Sequence, residues 1–88
     1  MENQNTKVFP QAYAMAQNAL ANLKSSVYLL LTVGPEDGFT NAEIGRRLGI
    51  YQGHIGHEGH ISRTLLEMMK NEGVIEQIPE DKKWHLKS

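Results

Sequence analysis

Apolar residues recur at steps of three and four along Tyr13, Ala16, Leu20, Leu23, Val27 and Leu30. That spacing lays one apolar stripe down a helix, predicted to run from Pro10 to about Thr32. Pro10 suits a first helical turn, where its missing N–H is no loss, and Gly34-Pro35 ends the run. Ser25-Ser26 is a candidate bend, because serine hydroxyls compete for backbone carbonyls. Before Pro10 the pattern stops, and the polar, aperiodic start predicts a disordered N-terminus over residues 1–9.

A second pattern opens at Phe39-Thr40-Asn41-Ala42-Glu43-Ile44. Thr40 as N-cap and Glu43 three residues on form a capping box, and Phe39 before the cap can staple onto Ile44. This short helix should close at Gly49 in the left-handed conformation, with Ile50 sealing the turn. A third helical stripe joins Ile61, Leu65 and Met68, flanked by Leu66 and Met69. Ile61, Leu65 and Met68 are expected to be buried together, against Ile44 and Leu48 and against Val27, Leu30 and Leu31. Each large side chain so buried contributes roughly 1.5–3 kcal/mol. After Glu72-Gly73 the chain restarts as two strands, Val74 to Ile78 and Lys83 to Lys87, around the turn Pro79-Glu80-Asp81-Lys82. Alternation should turn Trp84 and Leu86 inward and Lys83, His85 and Lys87 outward.

The fold class is therefore mainly α with a small β-hairpin. Eighty-eight residues make one domain, predicted over residues 10–88 with a helical extension at 10–24. A chain this size buries only about 60–65% of its unfolded surface, so its stability margin is thin. There are no cysteines, which excludes disulfides and thiolate–metal sites. The start lacks the basic-then-apolar build of a signal peptide. The longest membrane-seeking run, Val27 to Val33, falls far short of the roughly 18 residues a span needs. The expectation is a soluble, cytoplasmic protein with no membrane partner.

The segment from Ile61 to Glu76, ISRTLLEMMKNEGVIE, resembles the recognition helix and first wing strand of winged helix-turn-helix regulators. The likeness is to regulators of the multiple-antibiotic-resistance and arsenical-repressor types, and it extends over Val27 to Leu86. It implies a three-helix winged helix-turn-helix with an extended N-terminal helix, and sequence-selective binding of double-stranded DNA as a small bacterial transcription regulator. A DNA-reading accessory of a mobile-element or restriction system is a variant of that reading. The resemblance also implies that His60, Ser62, Arg63 and Thr64 point into the major groove. An arginine fork there can meet guanine O6 and N7 with two hydrogen bonds. Arg46 or Arg47, one of the two because neighbours on a helix diverge by about 100°, would contact flanking phosphates, as would Lys82 or Lys83 at the ribbon tip.

Two features depart from that pattern. Nine Lys plus Arg against ten Asp plus Glu give a net charge of −1, whereas nucleic-acid binders are usually basic. Near-neutral charge favours an alternative, a winged helix used for protein–protein contact without DNA binding. The connection from Gly49 to Ile61 is also long, and carries Gly53-His54-Ile55-Gly56-His57-Glu58-Gly59-His60 with glycine and histidine repeating every three residues. Three readings compete. Glycines can let backbone approach phosphates while His54, His57 and His60 act as partly charged donors. A pair of histidines three apart could instead share a metal. The segment could also be an irregular loop meeting turn geometry. With no cysteine and Glu58 as the one extra ligand, no metal or other cofactor is expected.

Catalytic constellations are weak. No glycine loop ends in Gly-Lys-Ser/Thr, and nothing positions a third group beside Ser62 and His60 or Tyr51 and His54. An enzyme is not expected. Tyr13, Ala16, Leu20 and Leu23 extend the first stripe beyond what one small domain needs, so a homodimer through these residues is expected. The competing arrangement folds the segment back over its own core.

Overall fold

The computed structural model describes residues 5–52 and 58–87. Its elements are α1 (Asn5–Val33), α2 (Asn41–Arg47), α3 (His60–Asn71), β1 (Ile75–Ile78) and β2 (Lys83–Leu86). The molecule is mainly helical with one antiparallel hairpin. No helix among the described residues is long and apolar enough to cross a membrane.

α1 starts at Asn5, so residues 5–9 are helical and Pro10 lies inside the helix rather than in its first turn. Extending a helix costs far less than nucleating one. The long alanine-rich stretch that follows can therefore carry the helix back past one missing N–H. At Ser26 the hydroxyl donates to the Leu23 carbonyl at 2.7 Å, the competition foreseen for that pair, and the helix continues through it.

The capping box of α2 is formed in full: the Glu43 N–H donates to Thr40 Oγ1 (3.2 Å) and the Thr40 N–H to Glu43 Oε1 (2.8 Å). Phe39 and Ile44, the staple pair, are both buried. α2 closes with Ile50 N–H on the Gly45 carbonyl and Gly49 N–H on that of Arg46, Gly49 sitting at φ 74°. α3 ends by the same device. Val74 N–H reaches the Met69 carbonyl and Gly73 N–H that of Lys70.

The core joins Val27, Phe39, Ile44, Leu65, Leu66, Met69, Ile75 and Trp84. It corrects the buried face expected for α3. Leu65 is buried, but Ile61 is 44% exposed and Met68 half-buried, while Ser62, Leu66 and Met69 are buried beside Leu65. The stripes 61/65/68 and 62/66/69 lie side by side on one helix, and both are largely apolar. Contact with α2 and with the hairpin rotates the second stripe inward, and the small Ser62 lets α2 come close.

β1 and β2 pair with Ile75 opposite Leu86 and Gln77 opposite Trp84. A third partner was not expected. Phe39 bridges Trp84, with Trp84 N–H on the Phe39 carbonyl at 2.7 Å. β2 is thus flanked on both edges, and its outward face is less open than alternation implies. Trp84 is buried and Leu86 half-buried as expected, but Lys83 and His85 are half-buried too.

Candidate nucleic-acid interface

α2 and α3 cross where two glycines let neighbouring side chains pack against bare backbone. A Cβ on Gly45 would lie 2.9 Å from both Ser62 Oγ and the Tyr51 ring. Gly59, the N-cap of α3, has φ 89°, and a Cβ there would meet Asn41 Nδ2 and the Tyr51 ring at 2.8 Å. The Gly59 carbonyl gathers three donors: Arg63 N–H (2.9 Å), the Ser62 hydroxyl (3.2 Å) and Asn41 Nδ2 (3.4 Å). Gly59 N–H in turn donates to the Gln52 carbonyl at 2.9 Å. The first turn of α3 is therefore held by backbone, an amide and a hydroxyl, not by a side-chain cap of its own.

This geometry sorts the residues expected to reach a ligand. Arg63 and Thr64 are exposed on α3, as is His60. Ser62 is not among them. It is 0% exposed and its hydroxyl points back to Gly59, so its groove-facing assignment is wrong. The cause is the inward rotation of its stripe. His54 and His57 lie outside the described residues. Both arginines of α2 are exposed, and each lies over a ring: the Arg46 guanidinium is 4.6 Å from the Tyr51 centroid, and that of Arg47 is 4.9 Å from Phe39. Such stacking is worth about 0.5–1 kcal/mol at exposed sites and orients the guanidinium plane.

At the ribbon, Lys82 occupies the turn at φ 60° and is exposed. Lys83 departs from its expected role as an outward cation. Its ammonium donates to Asp37 Oδ2 at 2.7 Å, and is committed there. That hydrogen bond raises the Lys83 pKa and lowers that of Asp37.

Arg63 borders a shallow cleft of about 120 Å³ with Asn41, Leu66, Glu67, Gln77 and Trp84. Among the described residues no acid pairs with it. Asn41 Oδ1 is shielded from solvent and has no partner among those residues. Reading the sequence alone missed Asn41, Glu67 and Gln77. Glu67 was visible as the residue four beyond Arg63, whereas Asn41 and Gln77 reach the cleft only through tertiary packing. The side chains offer a cation, two amides and a carboxylate around one cleft, suited to polar ligands with both donors and acceptors. Among the described residues no group of three or more His, Asp or Glu is arranged to hold a metal.

On the other flank of α3, Ile61, Thr64, Leu65 and Met68 meet Leu20 and Leu23 of α1 around an apolar groove of about 350 Å³, with His60 at its edge. Leu20 and Leu23, expected at a dimer contact, are half-buried in that groove; Tyr13 and Ala16 are exposed beyond it. Comparison with protein-family models, with curated proteins and with solved structures finds no match for this chain.

Proposed function

We propose that this chain is a winged helix-turn-helix that binds double-stranded DNA selectively, as a small transcription regulator or a DNA-reading accessory. The observation that carries the reading is Arg63. It stands exposed and, among the described residues, without an acidic partner on a helix whose first turn is clamped at Gly59, beside a hairpin braced through Phe39 and Trp84. The succession helix, bridging residue, helix, helix, hairpin supports the fold assignment. In this reading Arg63 and Thr64 address base edges, while Lys82 and one of Arg46 and Arg47 meet phosphates.

The test is a selection of bound fragments from random duplexes, followed by affinity against salt. Arg63→Ala should cost about 1–3 kcal/mol and relax preference at one base position. Lys82→Ala should weaken all sequences alike and flatten the salt slope by about one unit. No enriched sequence, or Arg63→Ala binding as the parent does, overturns the reading. A second reading, a protein-contact module, is favoured by the net charge of −1 and by the open apolar groove beside α3. It predicts little dependence on salt, whereas several phosphate contacts make affinity fall steeply.

A further inference from the structure

We propose that two copies of this chain pair through antiparallel α1 helices centred on Ala16, each inserting Phe9 into the groove between α1 and α3 of the other. α1 is one unbroken helix of 29 residues, about 43 Å long at 1.5 Å per residue. Its C-terminal half packs on the core through Val27, with Leu20 and Leu23 beside the groove. Its N-terminal half projects. Intramolecular cover is confined to Leu20 and Leu23, and the rod carries Phe9, Tyr13 and Ala16 exposed beyond its own groove.

The projecting half is built for contact rather than for water. At 100° per residue, Phe9, Tyr13, Ala16, Leu20 and Leu23 share the face that Val27 turns to the core. Phe9 is 66% and Tyr13 68% exposed. Between Lys7 and Lys24 the sequence carries no charge at all. That favours a second copy over another partner. Near a twofold axis each residue meets its own duplicate, so a charged face would repel itself and an uncharged one does not.

The register follows from the spacing. Phe9 lies seven residues before Ala16, and Leu23 lies seven after it. An antiparallel pair crossing at Ala16 therefore sets Phe9 of one copy beside Leu23 of the other, at the groove with Ile61 and Met68. Ala12, Ala16 and Ala19 leave room for close approach at the crossing. The area is sufficient. Phe9 and Tyr13 offer roughly 200–300 Å² per chain; with the surface they cover and twofold duplication, roughly 800–1,200 Å² is buried before the alanines and Ile61 are added. A specific interface needs about 1,200 Å².

The pairing is independent of DNA and is tested without it. Sedimentation equilibrium of the full chain at micromolar concentration should give twice the monomer mass of 9.9 kDa. Phe9→Glu and Ile61→Glu, both at exposed positions, should each halve that mass while leaving helical circular dichroism unchanged. Because the chain has no cysteine, Ala16→Cys tests the register directly. Mild oxidation should convert it to a covalent dimer, whereas Asn18→Cys, roughly 160° around the helix, should stay monomeric under denaturing conditions. A monomeric parent, a Phe9→Glu variant of unchanged mass, or cross-linking at Asn18 as readily as at Ala16 overturns the proposal. A monomer that still binds duplex DNA would leave the functional reading standing alone.

Discussion

Gly45 shows how one missing methylene sets the distance between two helices. Its neighbours Ser62 Oγ and Tyr51 leave no space for a Cβ, so Gly45→Ala must push α2 away from α3. The expected cost is about 1–3 kcal/mol, the range for overpacking a filled contact. Gly49→Ala makes a useful contrast, because nothing lies near its Cβ position and only its positive φ is strained. Chemical denaturation of the two variants measures the difference in kind: Gly45→Ala should also weaken any activity that depends on the angle of α3, and Gly49→Ala should not. Equal effects on that activity would show that the crossing does not orient the helix. At the same scale Ser62 illustrates how a small polar residue misleads. Hydroxyls are common at surfaces, yet this one is enclosed because its hydrogen bond to Gly59 satisfies it locally.

Elements here are bounded by caps and sealed by packing, and both contributions are separable. Thr40→Ala removes one half of the capping box and should cost about 0.5–2 kcal/mol. Retention of stability in urea unfolding would show that the staple of Phe39 on Ile44 alone starts α2. The burial face of α3 gives a sharper comparison. Leu66→Ala empties a fully enclosed position and should cost about 2–5 kcal/mol. Ile61→Ala, half in solvent, should cost less than the same change at Leu66. The reverse order would restore the face through Ile61, Leu65 and Met68 that spacing alone favoured.

At the scale of the whole molecule, ion pairs tie distant segments together. Lys24 of α1 meets Glu72 at the end of α3, and Asp37 in the turn after α1 meets Lys83 of β2. The second pair has a pH signature. Hydrogen bonding to Lys83 lowers the Asp37 pKa, so its contribution is present at neutral pH and is lost as the pH falls below about 4, through the depressed value. Lys83 is raised in return, and its contribution persists until the pH climbs above about 10, through the elevated value. Carboxyl NMR titration should find the Asp37 midpoint below that of an ordinary aspartate, and Lys83→Met should move it upward. An Asp37 midpoint unaffected by Lys83→Met would mean that the pair does not hold in solution.

Local chemistry was legible in the residues themselves. The Thr40/Glu43 box, the glycine closures at Gly49 and Gly73, and strand limits within one residue of those observed all depend on near neighbours in the chain. So does the continuous stripe of the first helix, whose period of 3.6 is a property of local geometry. Tertiary packing decided what local pattern left degenerate. Two adjacent apolar stripes on α3 were equally able to face inward, and the approach of α2 at Gly45 selected the one containing Ser62. Phe39 carried no strand pattern, since a single bridging residue has no period, and its pairing with Trp84 exists only once the hairpin is in place. The commitment of Lys83 to Asp37, and the cleft that joins Arg63 to Asn41 and Gln77, bring together residues far apart in the chain. Periodicity records which face of an element is apolar; it holds no information about which other element arrives to cover it.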